Sequence, residues 1–271
     1  MGTYINIGNV GFQRARNSEY VDKSMLISVV NKTLFTERQF SCVSRCRRFG
    51  KSMAAKMLYA YYDHSCDSRS LFADLAIASD PTFEQHLNKY PAIYLDVTDF
   101  VSRYKDDGIV DKIDAALLDD VSKAYTDVPM TPEDSLMDYL LRVNIATGEQ
   151  FFFIIDEWDA TCREFAPGTK AMDDYVGWLR RMFKSQQAMR VFACVYMTGI
   201  LPVKKYKTES ALNNFQEYSM IEPGDMGEYF GFTKDEVRTL ADEHSIDFDE
   251  LEKWYDGYQI GTSCQCSIPT A

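Results

Sequence analysis

Ser44-Arg45-Cys46-Arg47-Arg48-Phe49-Gly50-Lys51-Ser52 separates two different patterns in the chain. Before it, Gln39 to Val43 reads as a short strand with Phe40 and Cys42 on one face. After it, Met53, Ala54, Met57, Leu58 and Tyr61 recur at helical spacing and form an apolar stripe. A Gly-Lys-Ser opening such a helix gathers backbone N–H groups, the positive helix end and a lysine ammonium around one anion. It leaves the serine hydroxyl for Mg²⁺. The expected ligand is a nucleoside triphosphate.

The usual phosphate loop is G-x-x-x-x-G-K-[ST], and Arg45 stands at its first glycine, which puts the tightest turn in question. A basic turn that happens to contain Gly-Lys-Ser fits the segment equally well. The segment Gln150-Phe151-Phe152-Phe153-Ile154-Ile155-Asp156-Glu157 favours the phosphate loop. Its unbroken apolar run stops at two acids, the pattern of a central parallel strand buried on both faces whose carboxyl end meets a site.

Between and beyond these two segments the chain alternates. A helix is expected from Lys23 to Leu34, a strand over Tyr90–Val97 and a helix over Ile109–Tyr125. A helix opened by Thr131 as N-cap with Pro132 at its first position should run to Ala146. Met172–Met189 reads as a helix, Arg190–Met197 as a strand ending in Thr198-Gly199, and Tyr218–Ile221 as a last strand. Residues 1–18 read as an irregular lead-in. Strands separated by helices imply a parallel sheet with ligands at the strands' carboxyl ends, where Lys51, Asp156 and Thr198 fall. Thr233 with Glu236 makes a capping box, so residues 222–260 are expected to form a small helical subdomain on a 1–221 core.

Composition narrows the function classes. The 271 residues carry 29 Lys plus Arg against 41 Asp plus Glu, a net charge of −12 that argues against coating nucleic acid non-specifically. A local basic patch stays open. Seven cysteines, with only Cys264 and Cys266 closely spaced and three histidines in the chain, suggest free thiols in a reducing cytoplasm and no zinc site. No stretch approaches the roughly 20 apolar residues of a membrane helix.

As chemistry, the candidates divide by role. Arg47, Arg48, Phe49, Gly50, Lys51 and Ser52 would cradle the phosphates, and Ser52 with Asp156 would hold Mg²⁺. Glu157 stands where the additional-strand class of P-loop ATPases carries the base that orients attacking water; a solvated loop acid is the alternative. Thr198, on the strand expected between those of Lys51 and Asp156, would sense the γ phosphate or the water, or simply close its strand. Arg45, Arg47 and Arg48 read either as a cationic cluster around phosphate or as a wet basic turn. Arg180, Arg181 and Lys184, and Lys204, Lys205 and Lys207, are candidates for an intersubunit arginine finger or a nucleic-acid contact, or are simply a solvated face. Trp254-Tyr255-Asp256-Gly257-Tyr258 is either a nucleotide or peptide platform or core packing.

Several of these motifs occur together in one family. Tyr20-Val21-Asp22-Lys23-Ser24, the phosphate loop, Ile155-Asp156-Glu157-Trp158-Asp159, Thr198-Gly199-Ile200-Leu201-Pro202, Leu212-Asn213-Asn214-Phe215 and Trp254-Tyr255-Asp256-Gly257-Tyr258 appear in this order. In this the chain resembles the AAA-ATPase-like proteins of gut bacteria over about residues 5–260. The resemblance implies a three-layer P-loop fold of the additional-strand type. Lys51 and Ser52 would be Walker A, Asp156 and Glu157 Walker B, and Thr198 a sensor, with ATP and Mg²⁺ as cofactors. An arginine at position 45 is usual there, whereas Cys46 replaces a common proline and Trp158 a frequent tyrosine. Family members typically continue into a nuclease-like domain, and residues 261–271 do not resemble that continuation, so the chain is expected to be a truncated or frame-shifted member. The implied activity is Mg-dependent ATP hydrolysis coupled to a protein partner or a homo-oligomer, with a non-hydrolysing nucleotide sensor as the alternative. A nucleic-acid motor is disfavoured by the acidic balance.

Overall fold

The computed structural model describes residues 2–104, 108–203, 212–254, 258–260 and 264–266. Lys204, Lys205, Lys207 and Tyr255-Asp256-Gly257 lie outside the described residues.

Five strands form the central sheet: β1 (Phe40–Ser44), β2 (Ala92–Asp96), β3 (Phe151–Asp156), β4 (Phe192–Gly199) and β5 (Gln216–Tyr218). Their order is β2-β3-β4-β1-β5 and every pairing is parallel, giving a three-layer α/β sandwich. β4 therefore lies between β1 and β3, as the additional-strand reading requires.

Alternation explains why β3 looks uniformly apolar in sequence. Phe151, Phe153 and Ile155 pack on one face under the helices Ile109–Ala124, Leu136–Thr147 and Lys170–Phe183, while Phe152 and Ile154 pack on the other against the helix Lys51–Tyr62. Both faces are dry, so no polar residue is tolerated before the strand's end. The register shifts where Phe151 faces Phe192 but Phe152 faces Cys194. This bulge lets Phe192 and Val195 share one face of β4 although three positions apart.

Several boundaries differ from the sequence expectations. The helix expected from Thr131 begins at Leu136, because Ser135 and Asp138 form the reciprocal capping box while Asp134 is held by Arg142 at 2.6 Å. The helix expected over Met172–Met189 ends at Phe183, and a separate turn Ala188–Val191 leads into β4. The expected Lys23–Leu34 helix is only Leu26–Asn31. The last strand is Gln216–Tyr218, earlier than expected. Within the lead-in, Val10–Arg16 is helical and buries Phe12. Residues 3–5 are fixed by the Asp120 carboxylate, which accepts the N–H groups of Thr3, Tyr4 and Ile5 at 2.7–2.9 Å. Asn214, whose motif had no derived role, donates to the Phe183 carbonyl at 2.7 Å and satisfies the end of its helix.

Beyond the sheet, Thr233 and Glu236 cap the helix Lys234–Glu243 as expected, followed by the helix Phe248–Trp254. Backbone pairing of Tyr258–Ile260 with Cys264–Cys266 then makes a short antiparallel ladder that the sequence reading did not anticipate. Among the described residues no helix is long and apolar enough to cross a membrane.

Candidate phosphate and metal site

The loop after β1 makes its left-handed turns at Arg48 (φ 66°) and Gly50 (φ 76°), not at Arg45. Position 45 therefore does not need a glycine. Arg45 is fully buried, and its Nη1 donates to the carbonyls of Ser44 (2.9 Å) and Tyr218 (2.7 Å) while the guanidinium lies over the Phe230 ring. The expectation that Arg45 joins a cationic cluster on phosphate is thus corrected: it fastens β1 to β5 and to the chain leading into the C-terminal helices.

Arg47 and Arg48 are exposed and line a cleft of about 690 Å³ together with Lys51, Ser52, Arg14 and Glu157. Lys56 lines it too, so five cations and one acid face the cleft at the N-terminus of the 12-residue helix Lys51–Tyr62. Phe49, expected among the phosphate-cradling residues, is not among the cleft's lining residues: its side chain is buried in the core and its carbonyl accepts from Gly231 N–H at 3.1 Å. The Lys51 ammonium donates to the Cys46 carbonyl (3.1 Å) and lies 3.7 Å from Glu157 Oε1. Lys51 and Glu157, more than a hundred positions apart, are brought together by β1 and β3 through the intervening β4. Arg180, Arg181 and Lys184 do not line the cleft; they are exposed at the end of the helix Lys170–Phe183, where cations complement the helix dipole.

At the end of β3, Asp156 is buried and accepts from three sources. Thr198 Oγ1 from β4 and the Glu157 N–H (3.1 Å) reach Oδ1, and Tyr94 Oη from β2 reaches Oδ2 at 2.8 Å. Thr198 thus lies in the site, but its hydroxyl proton is directed at Asp156 rather than into the cleft. Burial, reinforced by the Asp156 charge and by hydrogen bonding to it, pushes the Tyr94 hydroxyl far above its ordinary range. The neighbouring Asp96 carboxyl is pushed up to about 6, first by burial and then by Asp156. Among the described residues no cluster of three or more metal-ligating side chains occurs. Ser52 lines the cleft, whereas Asp156 is buried and is not among its lining residues.

Sequence reasoning missed three participants. Tyr94 was read only as part of a strand. Arg163, on the short helix Ala160–Glu164, donates to Glu157 Oε2 at 2.5 Å. Asp159, quoted in a motif without a role, accepts the N–H groups of Ile200 (3.2 Å) and Leu201 (2.9 Å) and so holds the loop after Thr198. Tyr94 lies in the middle of its strand, and nothing in the sequence singles out either it or Arg163.

Gly199 makes this junction tight. A Cβ there would come within 2.6 Å of the Trp158 ring and 2.8 Å of Asp159 Oδ1, with both neighbours buried. Gly199→Ala is expected to lower stability by about 1–3 kcal/mol through overpacking, measured by urea unfolding.

The sequence model of predicted AAA-ATPases matches residues 5–208. The chain belongs to the predicted AAA-ATPase family. Membership in this family supports nucleotide binding. No curated protein matches the chain. Among solved structures, the Aeropyrum pernix ORC1 protein in complex with DNA is similar at 13% identity and a TM-score of 0.43, covering 90% of this chain and 55% of that one. The Aeropyrum pernix ORC2 protein, solved as ADPNP–ADP complexes, is similar at 12% identity and a TM-score of 0.44, covering 89% and 59%. The chain spans little more than half the length of either.

Proposed function

We propose that this predicted AAA-ATPase binds Mg-ATP in the cleft and hydrolyses it, using turnover to switch a protein partner or a second copy of the chain. The observation that carries the reading is Lys51 facing Glu157 at 3.7 Å across a cleft otherwise lined by cations. Lys51 would leave the Cys46 carbonyl for the β and γ phosphates, and the Glu157 oxygen it releases would then face the reacting end of the triphosphate. Glu157 would orient water there. Ser52 and Asp156 would hold Mg²⁺, whose contribution is to neutralise charge building on the phosphate oxygens. The buried Thr198–Asp156–Tyr94 chain keeps the Asp156 carboxylate fixed for that task.

The base and ribose have a place as well. An apolar cavity of about 600 Å³ shares Gly50 and Met53 with the cleft and is walled by Tyr20, Val21, Tyr229 and Leu240. Its C-terminal wall, drawn from residues between Tyr229 and Leu251, acts in this reading as a lid. Lys23 fastens it by ion-pairing with Glu236 at 2.6 Å and donating to the Glu228 carbonyl at 2.7 Å.

A second reading, a sensor that binds ATP without useful turnover, draws on Glu157 being engaged by two cations at once. Calorimetry with Mg-ATP beside steady-state phosphate release separates the two. The wild-type chain is expected to bind and release phosphate. Lys51→Ala should weaken binding by about 100-fold, the scale of losing a charge-assisted contact to phosphate. Wild-type binding without release favours the sensor, and Lys51→Ala binding as tightly as wild type would remove the cleft from consideration.

A further inference from the structure

No motif announces Arg163, and its surroundings give it a specific task. It sits on the turn Ala160–Glu164 directly after the strand-end acids. Its Nη2 donates to Glu157 Oε2 at 2.5 Å, and both side chains are mostly shielded, 18% and 21% exposed. Its Nε lies 3.3 Å from the fully buried Asp159 carboxylate, which itself anchors the loop after β4. Glu157 needs such an anchor. Its backbone is left-handed (φ 52°), a conformation that turns the residue out of the strand direction and that a glutamate does not adopt unaided. Its other oxygen, Oε1, faces Lys51.

From this arrangement we infer that Arg163 is a positioning residue for Glu157, holding Oε2 so that Oε1 stays aimed into the cleft when the triphosphate draws Lys51 away. The inference rests on the ATP-hydrolysis reading above. A carboxylate placed next to a γ phosphate is repelled by it, and once Lys51 is committed to phosphate the remaining cation in contact with Glu157 is Arg163. A guanidinium already ion-paired with Asp159 would counter that repulsion from a place it holds before the nucleotide arrives. Because Arg163 is tied to Glu157 rather than aimed at the phosphates, its loss should leave nucleotide affinity alone and reduce turnover.

The test compares wild type, Arg163→Ala, Arg163→Lys and Glu157→Gln by calorimetry with Mg-ATP and by phosphate release, with thermal unfolding as the folding control. Arg163→Ala is expected to lower kcat by about 10- to 100-fold, the scale of a misplaced reacting group, with KM and Kd for Mg-ATP within about twofold of wild type. Arg163→Lys, which keeps a cation for Glu157 but loses the Nε contact with Asp159, is expected to recover part of the lost kcat. The inference is overturned if Arg163→Ala turns over at the wild-type rate, or faster. It is also overturned if binding falls together with turnover and Arg163→Lys does no better than Ala, the outcome of a merely structural role. Those results leave the hydrolysis reading standing provided wild type turns over and Glu157→Gln does not; a wild type without turnover removes both.

Discussion

Glu157→Gln is expected to bind Mg-ATP at least as tightly as wild type and to release phosphate about 10²- to 10⁴-fold more slowly, the range over which a positioned base contributes. The substitution is nearly isosteric, and the glutamine oxygen can still accept from Arg163, so the contact at 2.5 Å and the fold around it should persist. What disappears is the negative charge facing Lys51 across the cleft. That anion opposes a bound triphosphate, so its removal cannot weaken binding through repulsion. In the proposed reaction it is also the group that would orient or deprotonate water, so the chemical step would lose its partner. Calorimetry and single-turnover phosphate release on the same preparation measure the two effects separately. Equal turnover by the two proteins would reduce Glu157 to an ion-pair partner of Arg163 and Lys51.

The parts of this site that were legible in sequence share a physical reason. Phe151 to Asp156 could be placed because a strand buried on both faces admits no polar residue until it ends, so the acids mark its carboxyl terminus. The helix opening at Gly50-Lys51-Ser52 could be placed because an apolar stripe at helical spacing starts there, and Gly50 supplies the left-handed turn before it at φ 76°. Other features were hidden because local signals competed. Thr131-Pro132 imitates a helix start, yet the Ser135–Asp138 box, equally readable as S-x-x-D, wins because it lets Leu136, Tyr139, Leu140 and Val143 reach the core. The helix Val10–Arg16 was masked by Gly11, a weak helix residue that here lets the Lys56 stem pack 3.5 Å from where its Cβ would be. Tyr94 and Arg163 were not legible as site residues because their roles come from register and from a turn's direction. Tyr94 reaches Asp156 only because Asp96, two residues on, stands opposite Asp156 in the parallel pairing of β2 and β3.

Arg45→Ala is expected to destabilise the protein by about 3 kcal/mol, a large part of the roughly 5–15 kcal/mol that holds a typical domain together. Three effects act in the same direction. The carbonyls of Ser44 and Tyr218 lose a charged donor at 2.9 and 2.7 Å in a region closed to water. The fully buried guanidinium leaves a void beneath the phosphate loop. Phe230 loses the cation lying 5.2 Å from its ring centre, and with it a tie between the sheet and the C-terminal helices. Arg45→Lys should restore only part of the loss, since an ammonium can replace the single Nη1 that serves both carbonyls but not the guanidinium plane over Phe230. Urea unfolding of the three proteins measures this directly. The same series carried out with saturating Mg-ATP tests the correction made at this position. If Arg45 fastens strands and does not touch phosphate, the nucleotide should raise the unfolding midpoint of Arg45→Ala by as much as that of wild type, whereas a phosphate-binding Arg45 predicts that the nucleotide's stabilisation shrinks with the side chain.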